Sequence, residues 1–232
     1  MFFGRPRKYC IPICLEKIAS WNVEGLRGEA STKLFELRHF MNTNGISILC
    51  LQETHLHGVH YYTEDGFTLF LFGIAEGSGR SYAGVGFLVA PWAIKSIISF
   101  RGINDRLASL RVKQSGGILT LLSAYAPHNG HTIEDRQLFF ASLSENTRIR
   151  NKHSSTFVCG DLNAQLGQLC VGEEASIGPY VYQKSICKRV GRHPTENYYW
   201  SIALNTVFVL LTHFSTTQMI CWCLTLIWLL HH

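Results

Sequence analysis

Four apolar stretches of this sequence end in side chains that could do chemistry together. The run Thr156-Phe157-Val158-Cys159 stops at Gly160, and Asp161 and Asn163 follow two apart. In an extended chain, residues two apart point to the same side. The spacing therefore predicts a carboxylate and an amide presented together at the mouth of a strand, a pair suited to a water molecule or a metal-bound phosphate. Read alone, Gly-Asp-Leu-Asn is equally an ordinary turn, because Gly, Asp and Asn are the usual turn formers. Partners elsewhere decide between the two. Lys17 to Val23 reads as a strand ending at Asn22. Ile46 to Leu51 is a continuous apolar run that gives way to Gln52-Glu53, and Ile118 to Tyr125 ends at Ala126-Pro127. If these ends are neighbours, one cleft receives the carboxylates of Glu53 and Asp161, the amides of Asn22 and Asn163, and the phenol of Tyr125.

Neighbouring strand ends need a layered scaffold. In layered α/β proteins ligands gather where strands end, because the scaffold is rigid there and the side chains are free. The first fifty residues read as strand, helix, strand. Gly25 and Gly28 make a loop, Ser31 is a candidate helix N-cap, and Leu34, Leu37 and Met41 recur near helical spacing up to the stop at Gly45. The β-type runs Phe67–Phe72, Val85–Ala90, Ile94–Phe100 and Leu107–Val112, separated by turn-forming residues, predict an antiparallel meander. Thr132 is then placed to cap a helix, with Asp135 three residues on and Phe139 and Leu143 one turn apart; this helix fades near Asn151.

The bulk composition is permissive. The chain of 232 residues has 47% hydrophobic and 12% aromatic residues, enough for a sizeable core. A net charge of +5 fits a polyanionic partner such as nucleic acid without requiring one. The eight cysteines show no paired C-x-x-C spacing of a zinc site. Cys50 and Cys159 lie inside apolar runs and read as small buried hydrophobes, as expected of reduced thiols in an intracellular protein. Residues 1–16 form a loose basic leader, whose apolar stretch is broken by Pro12 and ended by Glu16, against a signal peptide.

Other clusters have plainer readings. Gly77-Ser78-Gly79-Arg80 with Gly84 and Gly86 lacks the Lys-Ser/Thr of a phosphate-binding loop and reads as a hairpin between strands. His55, His57 and His60 fit neither a strand face nor a helix and read as a polar loop near the cleft. Arg101, Arg106 and Arg111, and Arg148, Arg150 and Lys152, have the chemistry to meet a DNA backbone, with solvated faces as the default.

Ser20-Trp21-Asn22-Val23, Leu51-Gln52-Glu53-Thr54, Ser123-Ala124-Tyr125-Ala126-Pro127 and Gly160-Asp161-Leu162-Asn163-Ala164, in that order, resemble the motif set of the endonuclease/exonuclease/phosphatase superfamily (DNase I-like). Within it the chain looks most similar to endonuclease domains of non-LTR retrotransposons. Gly84-Val85-Gly86-Phe87-Leu88-Val89 and Asp105-Arg106-Leu107 are similar in kind. The likeness covers residues 17–182 and is taken as the domain. It implies an α/β fold, a two-layer β-sandwich flanked by helices, incomplete at the C-terminus, with its site at one end. It implies metal-assisted hydrolysis of a phosphodiester, with Glu53 holding Mg²⁺ (Mn²⁺ as the alternative) and Asn22 beside it orienting the metal shell or the phosphate. Tyr125 would hydrogen-bond a phosphate oxygen, Asp161 would orient or deprotonate the attacking water, and Asn163 would bind the phosphate in the transition state. The implied partner is DNA, nicked on one strand to leave a 3′ hydroxyl that primes reverse transcription, in the nucleus.

The chain departs from the family pattern beyond that point. The family normally carries a later aspartate and a terminal Ser-Asp-His-type motif, and here no aspartate follows Asp161. His193, His213, His231 and His232 all lack an Asp-His context. Loss of that pair predicts impaired hydrolysis, with a catalytically inactive nucleic-acid-binding fragment and a phosphatase of the same superfamily as the alternatives. Residues 183–232 form a hydrophobic tail, without any Lys, Arg, Asp or Glu from Asn197 onward. It reads foremost as a degenerate or truncated family C-terminus, then as a membrane anchor through 202–230, then as a buried core element.

Overall fold

A computed structural model of the chain describes residues 17–26, 30–79, 82–115, 117–148, 154–163, 207–211 and 220–223. The basic leader, Arg80, Arg150, Lys152 and the tail outside 207–211 and 220–223 lie outside the described residues. Two sheets form the centre. The first is six-stranded in the order β11-β1-β2-β5-β4-β3, built from β1 (Lys17–Asn22), β2 (Ile48–Gln52), β3 (Val59–Glu64), β4 (Phe67–Phe72), β5 (Val85–Val89) and β11 (Ile220–Cys223). The second is five-stranded in the order β10-β9-β8-β7-β6, built from β6 (Ile97–Asn104), β7 (Leu107–Gln114), β8 (Gly117–Tyr125), β9 (Ser154–Asp161) and β10 (Val207–Leu211). One helix lies against each, α1 (Ala30–Asn44) on the first and α2 (Ile133–Thr147) on the second.

Strand alternation sorts the side chains into three apolar layers. Ile18, Ile48, Cys50, Val85, Phe87, Ala108, Leu110, Leu119, Leu121, Phe157 and Cys159 fill the space between the sheets. Their sequence neighbours turn outward. Ala19, Leu49, Leu51 and Leu88 meet Leu34, Leu37 and Met41 of α1, and Leu122, Ala124 and Val158 meet Phe139, Phe140 and Leu143 of α2. Central strands covered on both faces must be apolar throughout, which is why Ile48-Leu49-Cys50-Leu51 is an unbroken run. The expected α/β sandwich flanked by helices is the observed architecture.

One end of each helix is closed as its sequence indicates, while α2 stops at Thr147, short of the expected fade near Asn151. At α1, Gly45 takes φ +64° and the Ile46 N–H reaches the Met41 carbonyl at 2.9 Å, closing the last turn. At α2, the Thr132 hydroxyl accepts the Asp135 N–H at 3.1 Å and donates to the Asp135 carboxylate at 2.9 Å.

Several expectations are corrected. Ser31 lies within α1, which already includes Ala30, so it is not the N-cap. Ile94–Ser96 is a 3₁₀ turn, and β6 starts only at Ile97. The four runs from Phe67 to Val112 are not one meander: β4 and β5 pair in the first sheet, and β6 and β7 pair in the second. β3 was not anticipated, and His60 sits in it rather than in a loop. The glycine-rich stretch does join two antiparallel neighbours, β4 and β5. In the tail, Val207–Leu211 pairs parallel with β9 and Ile220–Cys223 antiparallel with β1. Among the described residues, no helix is long and apolar enough to cross a membrane.

Candidate active site at the strand ends

Two parallel strand pairs bring their carboxyl ends to the same edge of the sandwich. In the first sheet Asn22 is in register with Gln52, and in the second Tyr125 is in register with Asp161. Asn22, Gln52, Tyr125 and Asp161 each continue the inward-facing set of their strand, so the site is the open end of the layer between the sheets.

Glu53 enters by a different route. Simple alternation after Gln52 would send it to the α1 side with Leu49 and Leu51. Its φ of +52° breaks the alternation, and its carboxylate turns back to the strand ends. The Gly25 N–H donates to the Glu53 carbonyl at 2.7 Å and the Thr54 N–H to the Gly84 carbonyl at 3.0 Å, which hold this left-handed backbone in place. The carboxylate is held by several side chains. Asn22 Nδ2 donates to Oε1 at 2.7 Å, while Asn22 Oδ1 accepts the Glu24 N–H at 3.2 Å, so the amide faces the carboxylate with its donor end. His55 Nε2 lies 3.4 Å from Oε2. From the other sheet, the Tyr125 phenol faces the same carboxylate, close enough for its charge and hydrogen-bonding capacity to act on the phenol.

Tyr125 is 7% exposed. Burial, then the Glu53 charge and hydrogen bond, raise its phenol well above the usual range, and nearby Arg106 opposes them in part. The Arg106 guanidinium lies 5.1 Å from the Tyr125 ring centroid and its Nη2 is 3.1 Å from His131 Nε2. Burial, followed by the Arg106 charge, lowers the pKa of His131.

Asp161 is 5% exposed and ends β9. Beyond it the chain is not extended: Asn163 has φ +47°, and its N–H donates to Asp161 Oδ1 at 2.8 Å. Asp161 and Asn163 are thus brought together by a side-chain-closed turn, not by strand alternation. The turn is tied to the second sheet: Asn163 Nδ2 donates to the Ala126 carbonyl at 2.6 Å, and the Ala126 N–H to the Asp161 carbonyl at 2.8 Å.

All five residues singled out in the sequence therefore lie at one end of the sandwich, with Asn22 hydrogen-bonded to Glu53 and Tyr125 facing the same carboxylate. Two neighbours were not foreseen as part of it. His55 lies in a polar loop near the cleft, as expected, but its approach to the Glu53 carboxylate was not foreseen. Arg106 was read as a solvated face, yet it packs on Tyr125; Arg101 and Arg111 are exposed as expected. The three histidines do not converge on one point: His57 Nε2 binds the Ser78 and Gly79 carbonyls and His60 Nε2 the His57 carbonyl.

Among the described residues no three His, Cys, Asp or Glu side chains group as a metal cage. Mg²⁺ needs no such cage, because it keeps several waters and accepts one or two carboxylates. A partly buried carboxylate oriented by Asn22 fits that ion.

The sequence model of the Endonuclease/Exonuclease/phosphatase family matches residues 19–200. No curated protein sequence matches the chain. Solved structures that resemble it include an AP endonuclease, LMAP, from Leishmania major, at 22% identity and TM-score 0.45 over 57% of this chain and 47% of that one. The chain thus spans less than half the length of that relative. A humanized TDP2 from D. rerio is similar at 17% identity and TM-score 0.44 over 70% of each chain. The endonuclease domain of TRAS1, a telomere-specific non-LTR retrotransposon, is similar at 18% identity and TM-score 0.42 over 65% of this chain and 61% of that one.

Proposed function

This chain belongs to the endonuclease/exonuclease/phosphatase family, and from that premise we propose that it is a divalent-metal-dependent phosphodiesterase of endonuclease type, acting on DNA. The observation that carries the reading is the Glu53 carboxylate, turned by a left-handed backbone to meet Asn22 of its own sheet and Tyr125 of the facing one. Glu53 would hold Mg²⁺, with Asn22 fixing the carboxylate's orientation. When bound, that ion neutralises charge developing on the phosphate and leaving oxygens. Tyr125, whose phenol stays protonated far above neutral pH, would turn its single hydrogen from the Glu53 carboxylate to a phosphate oxygen when substrate binds. Asp161 orients the attacking water and accepts its proton at the carboxylate. Asn163 donates an amide N–H to the phosphate as the transition state forms. The motif around Tyr125 and the net charge of +5 favour DNA over a small phosphoester.

The test is a supercoiled plasmid incubated with the full chain and Mg²⁺. Nicking that is lost with Glu53→Ala, with Asp161→Ala and with EDTA supports the proposal. A second reading is a slow or inactive DNA-binding relative, since no aspartate occurs between Asp161 and residue 200, the rest of the stretch that the family model matches. No nicking, with DNA binding that weakens steeply as salt rises, would establish that one instead.

A further inference from the structure

Directly beneath Asn22, Glu53 and Tyr125 lies a second polar layer, sealed from solvent. Ser20, Gln52 and Ser123 are 2%, 0% and 0% exposed. Ser20 is two residues before Asn22, Gln52 immediately precedes Glu53, and Ser123 is two before Tyr125. The Ser20 hydroxyl donates to Gln52 Oε1 at 3.0 Å. Gln52 Nε2 donates to the Ser123 hydroxyl at 3.0 Å, and that hydroxyl donates to the Leu51 carbonyl at 2.9 Å.

The direction of this chain is fixed by hydrogen count. Each hydroxyl has one hydrogen to give. Ser123 gives its hydrogen to Leu51, so it can only accept from Gln52. Ser20 gives its hydrogen to Gln52, so the amide oxygen must face β1 and the amide nitrogen must face the second sheet. Ile18, Cys50 and Cys159 share the same inter-sheet layer. Apolar side chains would fill this space at no cost in stability, because a buried amide gives up its water. They would set no direction, since apolar contact is non-directional. A hydrogen-bonded chain between facing sheets sets both a distance and a lateral register.

We infer that Gln52 is a positioning residue: through Ser20 and Ser123 its amide fixes the first sheet, which carries Asn22 and Glu53, against the second, which carries Tyr125 and Asp161. The inference rests on the phosphodiesterase reading only for what is being positioned. Two half-sites on separate sheets need such a link, because a misplacement of about 1 Å in a catalytic group can cost on the order of 100-fold in rate.

The decisive variant replaces the whole network, Ser20→Ala with Gln52→Leu and Ser123→Ala, so that no buried polar group is left without a partner. Two quantities are measured on the full chain: steady-state plasmid nicking with Mg²⁺, and the crystal structures of wild type and variant. The expected result is an unchanged melting temperature and KM, a kcat lower by about 10- to 100-fold, and a Tyr125 hydroxyl displaced from the Glu53 carboxylate. A wild-type kcat overturns the inference, as does an unchanged Tyr125–Glu53 contact. If the triple variant does not fold, Ser123→Ala, which removes both the inter-sheet acceptor for Gln52 and the donor to the Leu51 carbonyl, is judged by the same criteria. If the wild-type chain does not nick DNA at all, the phosphodiesterase reading fails. The positioning claim is then decided by the crystallographic contact alone: displacement supports it, and an unchanged contact overturns it.

Discussion

The phenol of Tyr125, on one sheet, faces the carboxylate of Glu53, which follows a strand of the other. Tyr125 closes the end of the inter-sheet core and Glu53 lies just outside it, and neither could reach the other if the sheets slid by the length of a residue. The contact ties the two halves of the candidate site together at its mouth, above the buried Gln52 amide that ties them at its floor. Its chemistry also sets protonation. A carboxylate that accepts from a phenol stabilises the neutral phenol, and burial acts in the same direction.

This coupling predicts an alkaline limb in stability. Tyr125 holds its proton more tightly in the folded chain than in the unfolded one, where the ordinary value is 10.0. A raised folded value means that the contribution is fully present below that pH. It is lost as pH rises beyond it, because the unfolded state then releases a proton that the folded state keeps. Urea titrations at successive pH values should show stability falling above about pH 10, and Tyr125→Phe should flatten that fall. An unchanged slope in Tyr125→Phe would place the alkaline transition elsewhere in the chain.

The left-handed backbone of Glu53 predicts that stability and function pull apart there. A side chain at φ +52° is strained by roughly 1–2 kcal/mol relative to glycine. Glu53→Ala keeps the strain and removes the carboxylate; Glu53→Gly removes both. Both variants should lose nicking by 100-fold or more, on the order expected for a lost electrostatic group. Glu53→Gly should nevertheless be the more stable of the two by about 1 kcal/mol, read from chemical denaturation. Equal stabilities would show that the tight turn around Gly25 and Gly84 imposes no strain on this position.

Thr132→Ala separates the helix from the site. The hydroxyl caps α2 through the Asp135 N–H, and its loss should cost about 1 kcal/mol. α2 packs on the outer face of the second sheet, on the side away from Glu53. Nicking per folded molecule should be unchanged while the melting temperature falls. A drop in kcat with Thr132→Ala would mean that the helix reaches the site in a way its packing does not indicate.

What the sequence discloses follows from burial. β2, β4, β5, β8 and β9 are covered on both faces or nearly so, and each appears as a dense apolar run. In β2, β8 and β9 a functional side chain stands at or just past the end of the run, which is why Glu53, Tyr125 and Asp161 stand out as strand ends, as Asn22 does at the end of the shorter β1. β3 is different. Val59 and Tyr61 are 64% and 67% exposed, and its pairing is held by backbone bonds to β4 that leave no mark on side-chain pattern. The move from one sheet to the other after β5 was equally hidden, because a strand reads the same whichever sheet it joins. Asn163 was placed beside Asp161 for the wrong local reason. Extended spacing and a closed turn both bring the two together, and only φ distinguishes them. The contacts of His55 with Glu53 and of Arg106 with Tyr125 became visible only when the strand ends were assembled, since each is made across a turn or between strands and not by periodicity.

The closest backbone approach near the site supplies the last prediction. Gly160 pairs with Ala124, one residue before the Tyr125–Asp161 pair. A methyl group at Gly160 would lie 1.9 Å from the Ala124 carbonyl oxygen and 2.9 Å from the Ala124 nitrogen. These are backbone atoms of a central strand, so no side chain can swing aside to make room. The strands would have to separate by more than an ångström, and Tyr125 would move with β8 away from Asp161. Gly160→Ala should therefore destabilise the chain by about 3 kcal/mol or more, the upper range for overpacking, and should reduce nicking even in the fraction that folds. Gly45→Ala is the control. Gly45 also has positive φ, but nothing lies within 4 Å of its added methyl, so the cost there is about 1 kcal/mol of backbone strain with no effect on rate. If the two variants proved equally stable, the β8–β9 spacing would have slack that the register does not show, and the positions of Tyr125 and Asp161 would have to be held by the Ala126–Asn163 turn alone.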